Sequence, residues 1–125
     1  MHVIDSFAWV EYFAGSKAGE FAKGYIEGGD SITPTIVIAE LSEKYARLKQ
    51  DFSNKLKFII LKSRTVALSE DIATLAGIVS VDRKKKISGW GLADSIILAT
   101  ARLQKANVVT GDEHFRDLEE AIMIK

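Results

Sequence analysis

An α/β protein with a mostly parallel central sheet, covered by helices on both faces, is the fold this sequence predicts. Short apolar runs at His2–Ile4, Ser31–Thr33, Val66–Leu68 and Val108–Val109 alternate with longer stretches of helical spacing, the pattern of strands joined by helical crossovers. Hydrophobic residues make up 47% of 125 positions, enough for one substantial core, whereas two independent domains would each be small. One domain over residues 1–125 is therefore expected.

Residues 2–5 read as the first strand, with Ser6 as the cap of a helix carrying Phe7, Ala8, Val10, Glu11 and Phe13 that Gly15 and Ser16 stop. A second helix spans 18–27 and ends at Gly28 and Gly29. A strand at Ser31–Thr33 then enters a helix for which Thr33 is the cap and Pro34 the first-turn residue. Val37, Leu41, Tyr45 and Leu48 give that helix one apolar face, with Glu40 beside it. Residues 52–61 suggest another amphipathic segment. Val66–Leu68 is a strand before a Ser69 cap and a helix from Glu70 to about Val81, and "DRKKKISGWG" after it reads as a loop. From Leu92, the spacing of Ile96, Ala99 and Leu103, widened by Ala93, Ile97 and Ala101, predicts a helix with Asp94 near its start. Val108 and Val109 form a strand ending at Thr110, and Ile122–Ile124 adds an edge strand.

Composition narrows the chemistry. The absence of cysteine excludes a disulfide scaffold, a thiolate zinc site, a Cys-ligated iron–sulfur cluster and a Cys nucleophile. Lys and Arg total 17, as do Asp and Glu, so any attraction for nucleic acid must come from local asymmetry. Met1–Asp5 shows no basic segment leading into an apolar secretion core, and no apolar stretch approaches the ~20 residues of a spanning helix, which makes a soluble, cytoplasmic protein the expectation.

Ligands of open α/β sheets bind beyond the carboxyl ends of the strands. Asp5 follows the first strand and Asp112 follows the Val108–Val109 strand by a short turn, while Glu40 and Asp94 sit in the N-terminal halves of helices that can face the same edge. Four clustered carboxylates raise one another's pKa unless a cation compensates. Hard oxygen ligands favour Mg²⁺ or Mn²⁺, and the chain offers two histidines and no thiolate for zinc. Asp5, Glu40 and Asp94 are expected to hold the ion, with Asp112 completing the pocket or helping hold a second one. Such an ion lowers the pKa of its water and stabilises phosphoryl charge, which supports phosphodiester hydrolysis. Ser6 and Thr110 could position a water or phosphate through their hydroxyls. Lys44, Arg47, Lys49, Lys55, Lys57, Lys62 and Arg64 stand against the single acid Asp51 in residues 44–64, and 83–86 add four more basic residues, a distribution suited to an RNA backbone.

The chain resembles the PIN-domain ribonucleases and, within them, the short VapC-type toxins of prokaryotic toxin–antitoxin pairs. "VIDSFAWVEYF" is similar to the first acidic motif, with Asp5 and Ser6; "TPTIVIAELSEKY" places Glu40 at the second; "GLADSIILATARLQKANVVTGDEHF" places Asp94 and Asp112 at the third and fourth, with Thr110 alongside. The resemblance covers nearly the whole chain. It implies a compact three-layer α/β/α PIN fold, Mg²⁺- or Mn²⁺-dependent RNA cleavage, control by a cognate VapB-like antitoxin that blocks the site, and a homodimer. Family members of this length also act as stand-alone nucleases in RNA processing. A receiver-like phosphoacceptor fits poorly, because Glu40 and Asp94 lie within helices, and loss of a site acid would have favoured a silent interaction module.

Other residues have ordinary readings beside the functional ones. Glu43 is expected to pair with Arg47, four residues on; Glu113 is solvated; and His114, ahead of Phe115, packs or hydrogen-bonds in its turn. Arg83–Lys86 reads as a solvated helix end, and Trp90 as a loop anchor. Trp9, Tyr12, Phe13, Tyr45 and Phe52 supply core, a dimer interface or a groove for an antitoxin helix.

Overall fold

A computed structural model describes all 125 residues. Five strands, β1 (His2–Ile4), β2 (Ser31–Pro34), β3 (Arg64–Val66), β4 (Asn107–Thr110) and β5 (Ala121–Met123), form one sheet in the order β3-β2-β1-β4-β5. Every neighbouring pair is parallel, so the expected mostly parallel sheet is parallel throughout. Helices α1 (Ser6–Ala14), α2 (Lys17–Glu27), α3 (Thr35–Arg47), α4 (Ser53–Lys62), α5 (Glu70–Lys86) and α6 (Leu92–Gln104) supply the crossovers and the two outer layers of an α/β/α fold. No helix is long and apolar enough to cross a membrane.

The central strands are short but apolar at successive positions because both of their faces are covered. Val3 pairs in register with Ile32 on one side and Val108 on the other, and all three are buried with Ile4 and Val109. Trp9 of α1 is fully enclosed and donates its indole N–H to Thr33 Oγ1 at 3.1 Å, while Thr33 Oγ1 and Ser63 Oγ lie 2.7 Å apart. Phe13 stacks on Trp9, and Tyr45 on Phe52, so these aromatic residues extend the core outward through α1, α3 and the start of α4.

Several boundaries differ from the sequence reading, each for a physical reason. Asp5, not Ser6, caps α1, because its carboxylate accepts the Ser6 backbone N–H. Pro34 is the last residue of β2 and the N-cap of α3, without a side-chain bond, since Thr33 spends its hydroxyl in the buried contacts with Trp9 and Ser63. β3 lies earlier than expected, at Arg64–Val66, where it can reach Ile32 to Pro34. The Ser69 cap holds, but α5 continues to Lys86. Its run of Arg83 to Lys86 occupies the last turn, where cations oppose the negative end of the helix dipole, and Lys86 lies 3.6 Å from Asp82 one turn back. The loop is thus confined to 87–91. Leu48 and Leu103, both expected on buried faces, are exposed where their helices end.

α1 and α2 approach closely at Gly19, where a Cβ would overlap the Glu11 carbonyl. Backbone cannot yield as a flexible side chain can. Gly19→Ala is expected to cost about 3 kcal/mol and to lower Tm by roughly 10 °C, measured by thermal denaturation.

Candidate active site

Strand order reverses direction at β1, where the chain first moves toward β2 and β3 and later returns to place β4 on the opposite side. Ligands of parallel sheets bind at such a point, outside the carboxyl ends of the strands. A pocket of about 370 Å³ opens there, lined by Asp5, Ser6, Glu40, Asp94 and Asp112 together with Phe7, Val10, Glu11, Leu41 and Lys44. The elements described above bring all four acids named from the sequence to this one cavity.

Asp5 continues β1 into the mouth of α1. Its Oδ1 accepts the Ser6 N–H at 2.7 Å, and its Oδ2 accepts the Thr110 hydroxyl at 2.7 Å. Thr110 in turn accepts the Asp112 N–H at 3.0 Å. A single buried hydroxyl therefore ties the end of β1 to the turn after β4. Thr110 does not line the cavity and its proton is committed to Asp5, so what it holds in place is the carboxylate. Ser6 does line the cavity, but its hydroxyl is 3.4 Å from Asp5 Oδ1, a weak contact beside the backbone bond. Gly111 completes the turn against Phe7, whose ring a Cβ at this position would overlap.

Glu40 reaches the cavity from the middle of α3. Its Oε1 is buried without a hydrogen-bond partner. Asp94, third residue of α6, accepts the Gly91 N–H at 3.0 Å, as an acid in a first helical turn does, and keeps its other oxygen free. Asp112 Oδ1 accepts the His114 N–H at 2.9 Å, fixing a short 3-10 turn, Glu113–Phe115.

The electrostatics follow from burial. Loss of water pushes the Asp5 carboxyl up to about 6, against the opposing bonds from Thr110 and Ser6 and with further upward pressure from Asp94 and Asp112. Burial, and then the charge on Asp5, push Glu40 up to about 7, partly opposed by the Ser6 hydroxyl. Asp94 is likewise raised, chiefly by burial, with Asp112 adding to it and the Gly91 N–H and His114 pulling the other way. These acids resist ionising together, and one of their buried oxygens lacks a partner. A divalent cation with hard oxygen ligands answers both conditions, so the donor set fits Mg²⁺ or Mn²⁺.

Ligand atoms of Asp94, Asp112 and His114 lie within 4.8 Å of one another, and the first two of these residues line the pocket. Asp5 and Glu40 line the cavity without joining that trio. The sequence suggests that His114 packs or hydrogen-bonds in its turn; its offset of two from Asp112 across a Gly-Asp turn is the signal that could have found it. Glu43 and Arg47 pair at 3.8 Å on the exposed face of α3, as expected.

The basic residues do not form one surface at the pocket. Lys44 lines it, but Lys62 and Arg64 border a cleft with Met1 and Asp30 at the opposite end of the strands. Arg83, expected in solvent, is buried. Its guanidinium grips both Asp117 oxygens at 2.7 and 2.9 Å, donates to the His114 carbonyl at 2.7 Å and lies 4.4 Å from the Trp90 ring centre. Trp90 is the buried anchor expected of it, tilted on Phe115 and donating to Ser95 Oγ at 2.7 Å. A separate groove beside Ala18, Phe21, Met123 and Ile124 contains no comparable cluster of acids.

A parallel sheet between two helical layers, with an acidic pocket at its switch point, defines an α/β/α protein that gathers carboxylates around one small volume. The PIN domain profile matches residues 2–121, and the chain belongs to the PIN-domain family. No curated protein matches the chain significantly. Among solved structures, it is similar to a toxin–antitoxin complex from Klebsiella pneumoniae, at TM-score 0.81 and 18% identity over 100% of this chain and 98% of that one. It is similar to Mycobacterium tuberculosis VapC20, described as a Sarcin-Ricin loop cleaving toxin, at TM-score 0.75 and 17% identity over 95% of each chain. A third is VapBC2 from Rickettsia felis bound to a DNA fragment from its promoter, at TM-score 0.74 and 17% identity over 98% of this chain and 96% of that one. At these identities the likeness is one of fold.

Proposed function

We propose that this single PIN domain is a Mg²⁺- or Mn²⁺-dependent endoribonuclease and the toxin of a toxin–antitoxin pair, acting in the cytoplasm. The observation that carries the reading is the pocket at the switch point, where Asp5, Glu40, Asp94 and Asp112 converge and a buried Glu40 oxygen lacks a partner. Asp5, Glu40, Asp94 and Asp112 would hold the cation. Bound there, it would supply Lewis acidity toward a phosphoryl oxygen and lower the pKa of a water. The chain's own contributions are positional: Thr110 fixes Asp5, Gly91 fixes Asp94, and Lys44 offers a positive charge at the rim to the RNA backbone. The fold likeness to toxin–antitoxin complexes supports a VapB-like antitoxin as the partner, and the family resemblance supports a homodimer.

Purified, partner-free protein incubated with mixed RNA is expected to cleave it with Mg²⁺ or Mn²⁺, to stop with EDTA, and to leave linear phosphate ends. Attack by the RNA's own 2′-hydroxyl would instead leave 2′,3′-cyclic phosphates, and their accumulation would count against hydrolysis by water. Cleavage that survives both EDTA and Asp94→Asn would remove the metal from the mechanism.

A further inference from the structure

We propose that His114 is a nitrogen ligand of the pocket's cation, so that the site prefers Mn²⁺ over Mg²⁺. The inference rests on the metal-dependent reading above and specifies which metal that site takes. Its starting point is the trio of Asp94, Asp112 and His114, whose ligand atoms span no more than 4.8 Å. Ligands at about 2.1 Å from a common ion lie up to about 4.2 Å apart, so a small closure suffices.

Three further features separate His114 from a histidine that merely packs. First, the chain turns Phe115 into the core against Trp90 with ring centres 4.9 Å apart, while the His114 ring stays beside the carboxylates of Asp94 and Asp112. Secondly, its backbone is held at both polar ends, the N–H by Asp112 Oδ1 at 2.9 Å and the carbonyl by the buried Arg83 at 2.7 Å. Thirdly, the ring edge rests against Gly89, where a Cβ would stand 3.2 Å from Cε1 and 3.3 Å from Nε2. The Nδ1 approach to Asp112 Oδ1, at 3.5 Å, is too long for a good hydrogen bond. The ring is therefore placed without its nitrogens being used up.

A nitrogen donor changes what the pocket selects. Mg²⁺ favours oxygen ligands in strict octahedral geometry and gives up water reluctantly, whereas imidazole is a ligand of transition ions. Mn²⁺ accepts the carboxylates and the imidazole together. Carboxylates alone suit both ions, and the imidazole widens the difference between them.

The test is pulsed electron paramagnetic resonance on the full chain loaded with Mn²⁺, with histidine ¹⁴N or ¹⁵N labelled. The sequence contains two histidines, and the other, His2, begins β1 at the far end from Asp5 with its ring 4.8 Å from that of Tyr25. Nitrogen modulation that switches with the label is expected in wild type and in His2→Gln, and is expected to vanish in His114→Gln. Removing even an outer-shell partner of a metal ligand costs about 10- to 100-fold in affinity, so Mn²⁺ affinity is expected to fall at least about tenfold in His114→Gln and Mg²⁺ affinity to fall less. Mn²⁺ binding without nitrogen modulation, or modulation that persists in His114→Gln, would overturn the inference and leave the nuclease reading intact. Failure of the folded wild type to bind Mn²⁺ would overturn both.

Discussion

Asp5→Asn is expected to abolish RNA cleavage while making the metal-free protein more stable at pH 8. The two effects share one cause. Removing a carboxylate from the cation's site removes several kcal/mol of transition-state stabilisation, about a 10³-fold loss of rate. The same carboxylate is a burden without the cation. Its pKa stands at about 6 in the fold, through burial above all, against an ordinary value of 3.8, so the native state holds the proton more tightly than the unfolded chain does. Stability from this group is therefore complete below about pH 4 and is lost as pH rises through about 6, a difference on the order of 2–3 kcal/mol. Glu40, raised to about 7, extends the decline in the same direction. Asparagine can still accept the Ser6 N–H but has no charge to bury. Thermal denaturation in EDTA is expected to show the variant above wild type at pH 8, with the gap closing below pH 5. Saturating Mn²⁺ should reverse the order, since a ligand at 100 times its Kd adds about 2.7 kcal/mol to the form that binds it. A variant less stable than wild type in EDTA at pH 8 would mean that Asp5 is not held at an electrostatic cost.

Arg83→Met is expected to lower stability by about 3 kcal/mol, near the lower end for breaking a buried ion pair. Asp117, whose side chain is 49% exposed, regains water when its partner goes, which limits the loss. The His114 carbonyl loses a charged donor. Methionine fills much of the volume beside Trp90 but cannot span Asp117 and the carbonyl, and Arg83→Lys lacks the fork that grips both carboxylate oxygens. Because the lost bond secures the turn carrying Asp112 and His114, Mn²⁺ affinity should fall along with Tm. Denaturation by urea with a midpoint unchanged from wild type would show that the buried guanidinium contributes nothing net.

How much of this was legible in the sequence depended on whether a residue's role was set locally. Asp5 directly follows an apolar run and Asp112 follows one by a short turn, and Glu40 and Asp94 lie in the N-terminal halves of patterned helices, so topology alone brings them to one edge. A run of four basic residues looks solvated, which hides the burial of Arg83. Its spacing from Ile72, Ala76 and Val79 continues one buried face of α5, a signal overridden by its charge. The partner that makes burial tolerable, Asp117, lies across the fold and leaves no trace in local pattern. Thr33 and Thr110 show the same limit: each looked like a cap or a pocket hydroxyl, and each is committed to a contact set by strand neighbours. The basic stretch over 44–64 fails as a single surface because α3, α4 and β3 point its members to different ends of the sheet.

The proposed function requires the switch-point carboxylates to hold a divalent cation. Calorimetric titration of Mn²⁺ into the metal-free protein, beside an Asp5→Asn, Asp94→Asn double variant, tests it most directly. Saturable binding to wild type that is lost in the folded double variant is the predicted result. Binding that is equal in both proteins, or absent from folded wild type, would contradict cation binding at these carboxylates.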